Sequence, residues 1–392
     1  MDRRGFLRGF GSIACSAAAH PFLSTVTLAQ GAPALGENRL IVVILRGAMD
    51  GLDVVQPRFD PAYAGLRPGL AASPALALGA GDWQMHGALE GLLPLWQAGE
   101  LGFVHATSTP YRDKRSHFDG QDMLEAGTGA DVPLGAVRDG WLNRMMQALP
   151  GVRAETAYAV GRDELKILSG VAEVRNWAPD QELALSAQGR LLLEHVAHDD
   201  PLFRDAVAEA LALTQGGMMG MAEGGEAGGV AQLVDFVAGH LAGETRIAAF
   251  SLTGWDTHKG QGNALRRPLS RLQEVILRMK AQLGPQVWGR TALLAMTEFG
   301  RTARENGSAG TDHGTGGLMV AAGGAVKGGQ VLGPWPGLGE GALYEGRDLM
   351  PTSDARAWAA HAMAQLYGLD RAVLEQAVFP GLRAEGAGGL IL

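Results

Sequence analysis

At 392 residues, with 46% hydrophobic and 19% charged side chains, the chain carries enough apolar material for one large folded domain or two small ones. A formal net charge of -8, with no basic run after the first few residues, excludes a nucleic-acid binder, and a lone cysteine excludes a disulfide scaffold. Glycine is the outlier: 58 residues without a collagen-like or short-period repeat predict many tight turns and close backbone approaches.

The chain starts Met1-Asp2-Arg3-Arg4-Gly5-Phe6-Leu7-Arg8-Gly9, two adjacent arginines ahead of a modestly apolar stretch from Phe10 to Leu28. That pattern predicts a twin-arginine signal peptide over residues 1–29, read by the twin-arginine translocase and delivering a periplasmic or extracellular protein. Gly, Ser, His20 and Pro21 interrupt the apolar part, which falls short of a stable membrane span. Cleavage is expected after Thr27-Leu28-Ala29, with Ala32-Pro33-Ala34 as a second candidate. Cys15 lies inside the signal, and Ser12 stands where a lipoprotein would need an apolar residue, so the mature chain is expected to be cysteine-free.

In the remainder, residues 30–392, short apolar runs alternate with amphipathic segments. Strands are predicted at Arg39 to Leu45, Leu101 to Ala106, Arg246 to Leu252, Thr291 to Thr297 and Leu318 to Ala322. Helices are predicted at Gly87 to Gln97, His117 to Glu125, Trp141 to Leu149, Gln188 to Leu213, Ala231 to Leu241, Leu265 to Leu283 and Ala355 to Tyr367. This alternation implies an α/β sheet with helices on both faces. Residues 216–229 (GGMMGMAEGGEAGG) read as a flexible surface loop, with a lid over a site as the alternative.

Open α/β sheets gather their ligands at the carboxyl ends of the strands. The first run ends in Arg46-Gly47-Ala48-Met49-Asp50, and the second leads into Ser108-Thr109-Pro110-Tyr111-Arg112 and on to Ser116-His117-Phe118-Asp119. The third ends in Trp255-Asp256-Thr257-His258, the fourth in Glu298-Phe299-Gly300-Arg301 followed by Thr311-Asp312-His313. Carboxylates and imidazoles at four strand ends are the groups that zinc or a harder divalent ion uses. Asp256 and His258, two apart in an extended segment, point to one side, and Asp312 and His313 in a Gly-bounded turn can both bend inward. Asp50 before Gly51 is also an ordinary turn residue, and Glu298 with Arg301 could be a structural ion pair. Ser116 with Asp119 three residues on is a capping box. The same turn carries Arg112, Lys114 and Arg115, so it also suits a phosphate or sulfate. A hydroxyl there, beside a metal, is a candidate nucleophile, with Ser108 as competitor. His86, His105 and His117 read as core or surface histidines.

The order LRGAMDG, SHFDGQDMLEAG, GWDTH, TEFGRT and GTDHG, followed by PTSDAR and VFPGL, resembles the bacterial domain of unknown function 1501 family, itself similar to the alkaline phosphatase and sulfatase superfamily. The resemblance runs from about Arg39 to the carboxyl end. It implies a three-layer α/β/α sandwich with a mainly parallel central sheet, two divalent ions (zinc first, with calcium, magnesium or manganese as alternatives) and a hydroxyl nucleophile at a helix start. By position it makes Asp50 a metal carboxylate, Ser116 the nucleophile, Asp256 and His258 ligands of one ion, and Asp312 and His313 ligands of the other. Glu298 is the alternative carboxylate beside His313. Ser108 to Arg112 is similar to the sulfatase signature, which would make Ser108 the nucleophile. The expected function is hydrolysis of a small anionic phosphate or sulfate ester, or of a polysaccharide ester, with Arg112 or Arg301 neutralising the transferring group. A non-catalytic exported binding or assembly protein is the rival. G-x-S-x-G, P-loop and dinucleotide motifs are missing from the sequence.

Overall fold

Strand β1 (Arg39–Leu45, RLIVVIL) is buried along its whole length, as a run of branched residues must be when helices cover both faces of a sheet. The computed structural model describes residues 35–112, 114–161, 165–178, 225–384 and 386–392, with backbone alone at 225–228. The further strands are β2 (Val55–Gln56), β3 (Ala75–Ala77), β4 (Gln84–His86), β5 (Leu101–Ser108), β6 (Ala157–Val160) and β7 (Arg175–Trp177). After them come β8 (Ile247–Leu252), β9 (Thr291–Met296), β10 (Gly317–Ala322), β11 (Val331–Leu332) and β12 (Ser353–Asp354). The longer helices are α1 (His117–Ala126), α2 (Trp141–Ala148), α3 (Gly225–Ala242), α4 (Arg266–Trp288) and α5 (Ala355–Tyr367).

Nine of the described strands form the central sheet in the order β11-β5-β10-β9-β1-β8-β6-β7, with β12 beside β5, while β2, β4 and β3 form a small separate sheet. The central sheet is mostly parallel: β1 lies between β8 and β9, both parallel to it, and β6 continues the parallel set to β7. Among the described strands of this sheet only β10 runs antiparallel, to β5 and to β9. The carboxyl ends of β1, β5, β8 and β9 therefore open on one edge. Because β10 enters the sheet from that edge, the segment before it, with Asp312 and His313, joins them.

Alternation along β1 divides the core. Ile41, Val43 and Leu45 face one cluster with α3 and α4, and Leu40, Val42 and Ile44 face another with α2 and α5. Helix α4 buries Leu269, Leu272, Ile276, Met279 and Leu283, a stripe at helical spacing, each worth about 1.5–3 kcal/mol when fully buried. The helix breaks at Gly284 (φ 65°) before Pro285, where the predicted helix ended. The result is a mixed α/β three-layer arrangement, and Ala34 to Leu392 forms one compact unit.

The predicted signal peptide 1–29, the predicted helix Gln188 to Leu213 and residues 216–224 of the glycine-rich stretch lie outside the described residues. Residues 225–229 of that stretch form the start of α3, not a loop. Leu233, Val234, Val237, Ala238 and Leu241 bury this helix, and cooperative propagation from that anchored part extends it backwards. Among the described residues no helix is long and apolar enough to cross a membrane.

Candidate metal centre

The site is built on two close backbone approaches. Gly47 follows β1 with φ 118°, and a Cβ there would meet the Asp256 amide nitrogen at 2.7 Å, so the turns after β1 and β8 touch through glycine. Gly300 is packed still more tightly: its Cβ would lie 1.8 Å from the Gly316 carbonyl oxygen. The segments 298–302 and 311–317 are thereby zipped together. Gly300 donates to Thr315 O at 3.0 Å, Gly314 donates to Gly300 O at 2.8 Å, and Arg301 and His313 form a β-bridge.

Two buried charged side chains hold these turns. Glu298 is fully buried, and its Oε1 accepts from the Gly47 and Ala48 amides at 2.9 and 3.1 Å and from Gln121 Nε2 at 3.2 Å. Arg301 donates to the carbonyls of Ala48 (2.8 Å), Gly47 (2.9 Å), Trp255 (3.2 Å) and Thr311 (3.0 Å), and to Asp256 Oδ1 (2.5 Å). Ala48 is held between them at φ 58°, a region costly for a residue with a Cβ.

On this frame three imidazoles face one carboxylate oxygen. Asp256 Oδ1 lies 3.5 Å from His117 Nε2, 3.1 Å from His258 Nε2 and 3.3 Å from His313 Nε2, and the last two nitrogens are 2.9 Å apart. The other nitrogen of each ring meets an acceptor: His117 Nδ1 meets Glu298 Oε1 at 2.8 Å, His258 Nδ1 meets Asp312 Oδ1 at 3.1 Å, and His313 Nδ1 meets the Arg115 carbonyl at 2.7 Å. Each neutral ring therefore carries its proton on Nδ1 and turns an Nε2 lone pair towards the same point. Lone pairs aimed at one another repel unless a cation lies between them. Buried His117 Nε2 has no hydrogen-bond partner of its own. Imidazoles with the far N–H anchored on carboxylate or carbonyl, beside one carboxylate, are the donor set and outer support of a metal site, and His117, Asp256 and His313 form a group that could hold an ion.

The electrostatics fit that use. Burial opposes ionisation of Asp256, but the hydrogen bond and charge of Arg301 hold its carboxyl below the usual range. Burial lowers the pKa of His313 and favours its neutral form. His117 is raised, first by its hydrogen bond to Glu298, so a proton and a cation compete for its Nε2. The Phe299 ring supports the group, stacked on His117 with centroids 5.3 Å apart and 5.4 Å from His313.

The expected site residues separate into distinct roles. Asp256, His258 and His313 come together as groups able to ligate an ion. Glu298 and Asp312 stand one step outside, orienting His117 and His258 through Nδ1. Asp50 lies apart from them: its Oδ2 is taken by Arg67 Nη1 (2.8 Å), Gln261 Nε2 (2.6 Å) and Thr311 Oγ1 (3.3 Å), and its Oδ1 accepts from the Leu52 amide (3.1 Å). Asp50 is thus a buried ion-pair and capping residue, both of its oxygens taken by N–H and O–H donors with no imidazole among them. The described residues yield one ligating group in place of the two ions expected. Arg301, expected to meet a transferring group, is instead buried among carbonyls and positions Asp256. Ser116 caps α1, its Oγ accepting from the Asp119 amide at 3.4 Å, between the two residues that touch the imidazoles, Arg115 and His117. Ser108 is buried at the end of β5, where its hydroxyl accepts from Arg112 Nη1 at 3.3 Å. The sequence pattern marks His117 only as a core or surface residue. Its place directly after a helix cap, on the turn already singled out, was the available signal. His86 and His105 are buried away from the group, and burial holds each near a pKa of about 4.

A model of the family described as "Protein of unknown function (DUF1501)" matches residues 104–377, from β5 to beyond α5. The chain belongs to this family. Its matched region contains all four residues of the group, His117, Asp256, His258 and His313. No curated protein matches the chain. Similar solved structures include a protein in the alkaline phosphatase superfamily from Vibrio parahaemolyticus, at 11% identity and TM-score 0.39, covering 98% of this chain and 80% of that one. The C-terminal periplasmic domain of EcEptC from Escherichia coli, in complex with Zn, matches at 10% identity and TM-score 0.35 over 73% of each chain. A mutant TAB5 alkaline phosphatase with Mg bound in its M3 site matches at 10% identity and TM-score 0.33, over 73% of this chain and 90% of that one.

Proposed function

We propose that this chain is exported by the twin-arginine route and acts outside the cytoplasmic membrane as a metal-dependent hydrolase of phosphate or sulfate esters. The observation that carries the reading is the convergence of three Nε2 lone pairs on Asp256, each ring anchored through its Nδ1. His117, Asp256, His258 and His313 would hold the ion, and three nitrogens with one oxygen suit zinc first. Bound there, a divalent ion supplies Lewis-acid stabilisation of charge on the ester oxygens.

The chain's own residues do the rest. The first turn of α1 presents amide N–H groups to an anionic ester, and Lys114 is exposed on the same approach. Ser116 is the nucleophile: its oxygen bonds to phosphorus or sulfur as the bond to the alcohol breaks, and its proton leaves with the alcohol. Water then releases the acid and restores the hydroxyl. Arg301 and Glu298 keep Asp256 and His117 in place throughout.

A second reading, a binding or assembly protein without turnover, draws on one observation: the Ser116 hydroxyl already has a structural role as the α1 cap. Metal analysis of the purified protein, combined with a panel of phosphate and sulfate esters, separates the two. Bound metal with turnover supports the hydrolase, bound metal without turnover supports the second reading, and absence of any divalent ion refutes the hydrolase. Export is tested by replacing Arg3 and Arg4 with Lys, and normal periplasmic accumulation of that variant refutes the route.

A further inference from the structure

A cleft of about 400 Å³ lies on segments that neighbour the metal centre, lined by Ser73, His86, Asn263, Arg266 and Glu305 among others, with none of the four ligating side chains in its wall. Its distinctive feature is His86. The Ala88 amide donates to His86 Nδ1 at 3.0 Å, so that nitrogen is the acceptor and the proton of the neutral ring sits on Nε2. The ring is neutral because burial, and after it the nearby Arg266 charge, press its pKa down to about 4. His86 is 2% exposed, and its Nε2–H has no hydrogen-bond partner. A buried donor left unmet is the exception in folded proteins and calls for an absent acceptor.

The charges around the cleft agree. Arg266 lines the cleft and makes no hydrogen bond or ion pair among the described residues, and Arg58, outside the wall, donates to the carbonyl of the lining residue Ser73 at 2.7 Å. The one carboxylate, Glu305, is engaged with the amides of Gly69 and Leu70, each at 3.0 Å. An unmet N–H beside an unpaired cation recognises an anion with oxygen acceptors.

We propose that this cleft binds an oxyanion, a carboxylate or a phosphate or sulfate group, which accepts from His86 Nε2–H and is charge-balanced by Arg266. The site is distinct from the metal centre and does not rest on the hydrolase reading. The test uses the protein and a His313→Ala variant, which takes one imidazole out of the metal centre, and the His86 signal tells binding in the cleft from binding elsewhere. Inorganic phosphate, sulfate and acetate are titrated into each by calorimetry, with the His86 Nε2–H signal followed by nitrogen-edited NMR. At least one anion is expected to bind the His313→Ala protein and move the His86 signal. Adding Arg266→Gln should weaken that binding about tenfold, the loss of one charge-assisted contact. Binding of phosphate and sulfate alone identifies a tetrahedral oxyanion site, and binding of acetate identifies a carboxylate site. Failure of all three anions to bind the His313→Ala protein, or binding that Arg266→Gln leaves unchanged, overturns the proposal. Since Arg266 has no partner to lose among the described residues, that variant tests binding without threatening the fold.

Discussion

Replacing Glu298 tests whether the metal centre depends on the frame behind it. Its Oε1 receives the buried Gly47 and Ala48 amides and the partly exposed Gln121 Nε2, and meets Nδ1 of the partly exposed His117 at 2.8 Å. Glu298→Gln keeps the shape and one acceptor oxygen but removes the charge. Bonds to a charged acceptor contribute about 1.5–3 kcal/mol against roughly 0.5–1.5 for neutral ones, so a loss of about 1–3 kcal/mol in stability is expected. Removing the carboxylate that orients a ligating imidazole should weaken divalent-ion binding about 10- to 100-fold. Glu298→Ala goes further. It leaves two buried backbone donors unmet at about 1–3 kcal/mol each and takes the acceptor from His117 Nδ1–H, a loss that is a large share of the stability of a typical domain. Urea denaturation with and without chelator reads the stability change, and zinc titration reads the affinity. Wild-type zinc affinity together with wild-type stability in Glu298→Gln would refute the assignment of Glu298 as the residue that orients His117.

Other predictions address separate parts of the structure. Buried Asp53 is pushed up to a pKa of about 6, first by burial and then by the Asp50 charge. Because its folded value lies above the unfolded one, its contribution to stability is full below about pH 4 and is lost as pH rises through 6, weakening by about 1.4 kcal/mol for each pH unit between those values. Wild-type stability should therefore fall relative to Asp53→Asn over that window, and a constant difference between the two across about pH 4.5–7.5 would contradict it. Gly300→Ala places a methyl 1.8 Å from the Gly316 carbonyl and should destabilise by at least about 1–3 kcal/mol while lowering metal content, because the same contact sets His313 against Arg301; an unchanged thermal midpoint would count against the zipper. Ser116→Ala should keep bound metal, lose any ester turnover and cost about 1 kcal/mol of capping energy. Full activity in that variant with none in Ser108→Ala would move the nucleophile to Ser108.

Local patterns in the chain were enough to locate β1, whose seven branched or long residues match the observed Arg39–Leu45, and α5, whose bounds Ala355–Tyr367 coincide with the reading from periodicity. The Ser116 cap and the clustering of acids and histidines at strand ends were legible for the same reason: caps, alternation and turns depend on neighbours within a few residues. Strands β6 and β7, of four and three residues, escaped because so few positions carry no readable period. The antiparallel sense of β10 was also invisible, since strand direction depends on partners about 25 and more than 200 positions away in the chain. Roles within the site were decided in the same way. Asp50 and Asp256 look alike in sequence and folding sets an arginine against each, Arg67 at 2.8 Å and Arg301 at 2.5 Å, yet it buries the first among Gln261 and Thr311 and brings three imidazoles to the second. His117 joins the group only because Glu298, 181 positions away, meets its Nδ1, and no local pattern encodes a hydrogen bond between groups that only the closed sheet brings together.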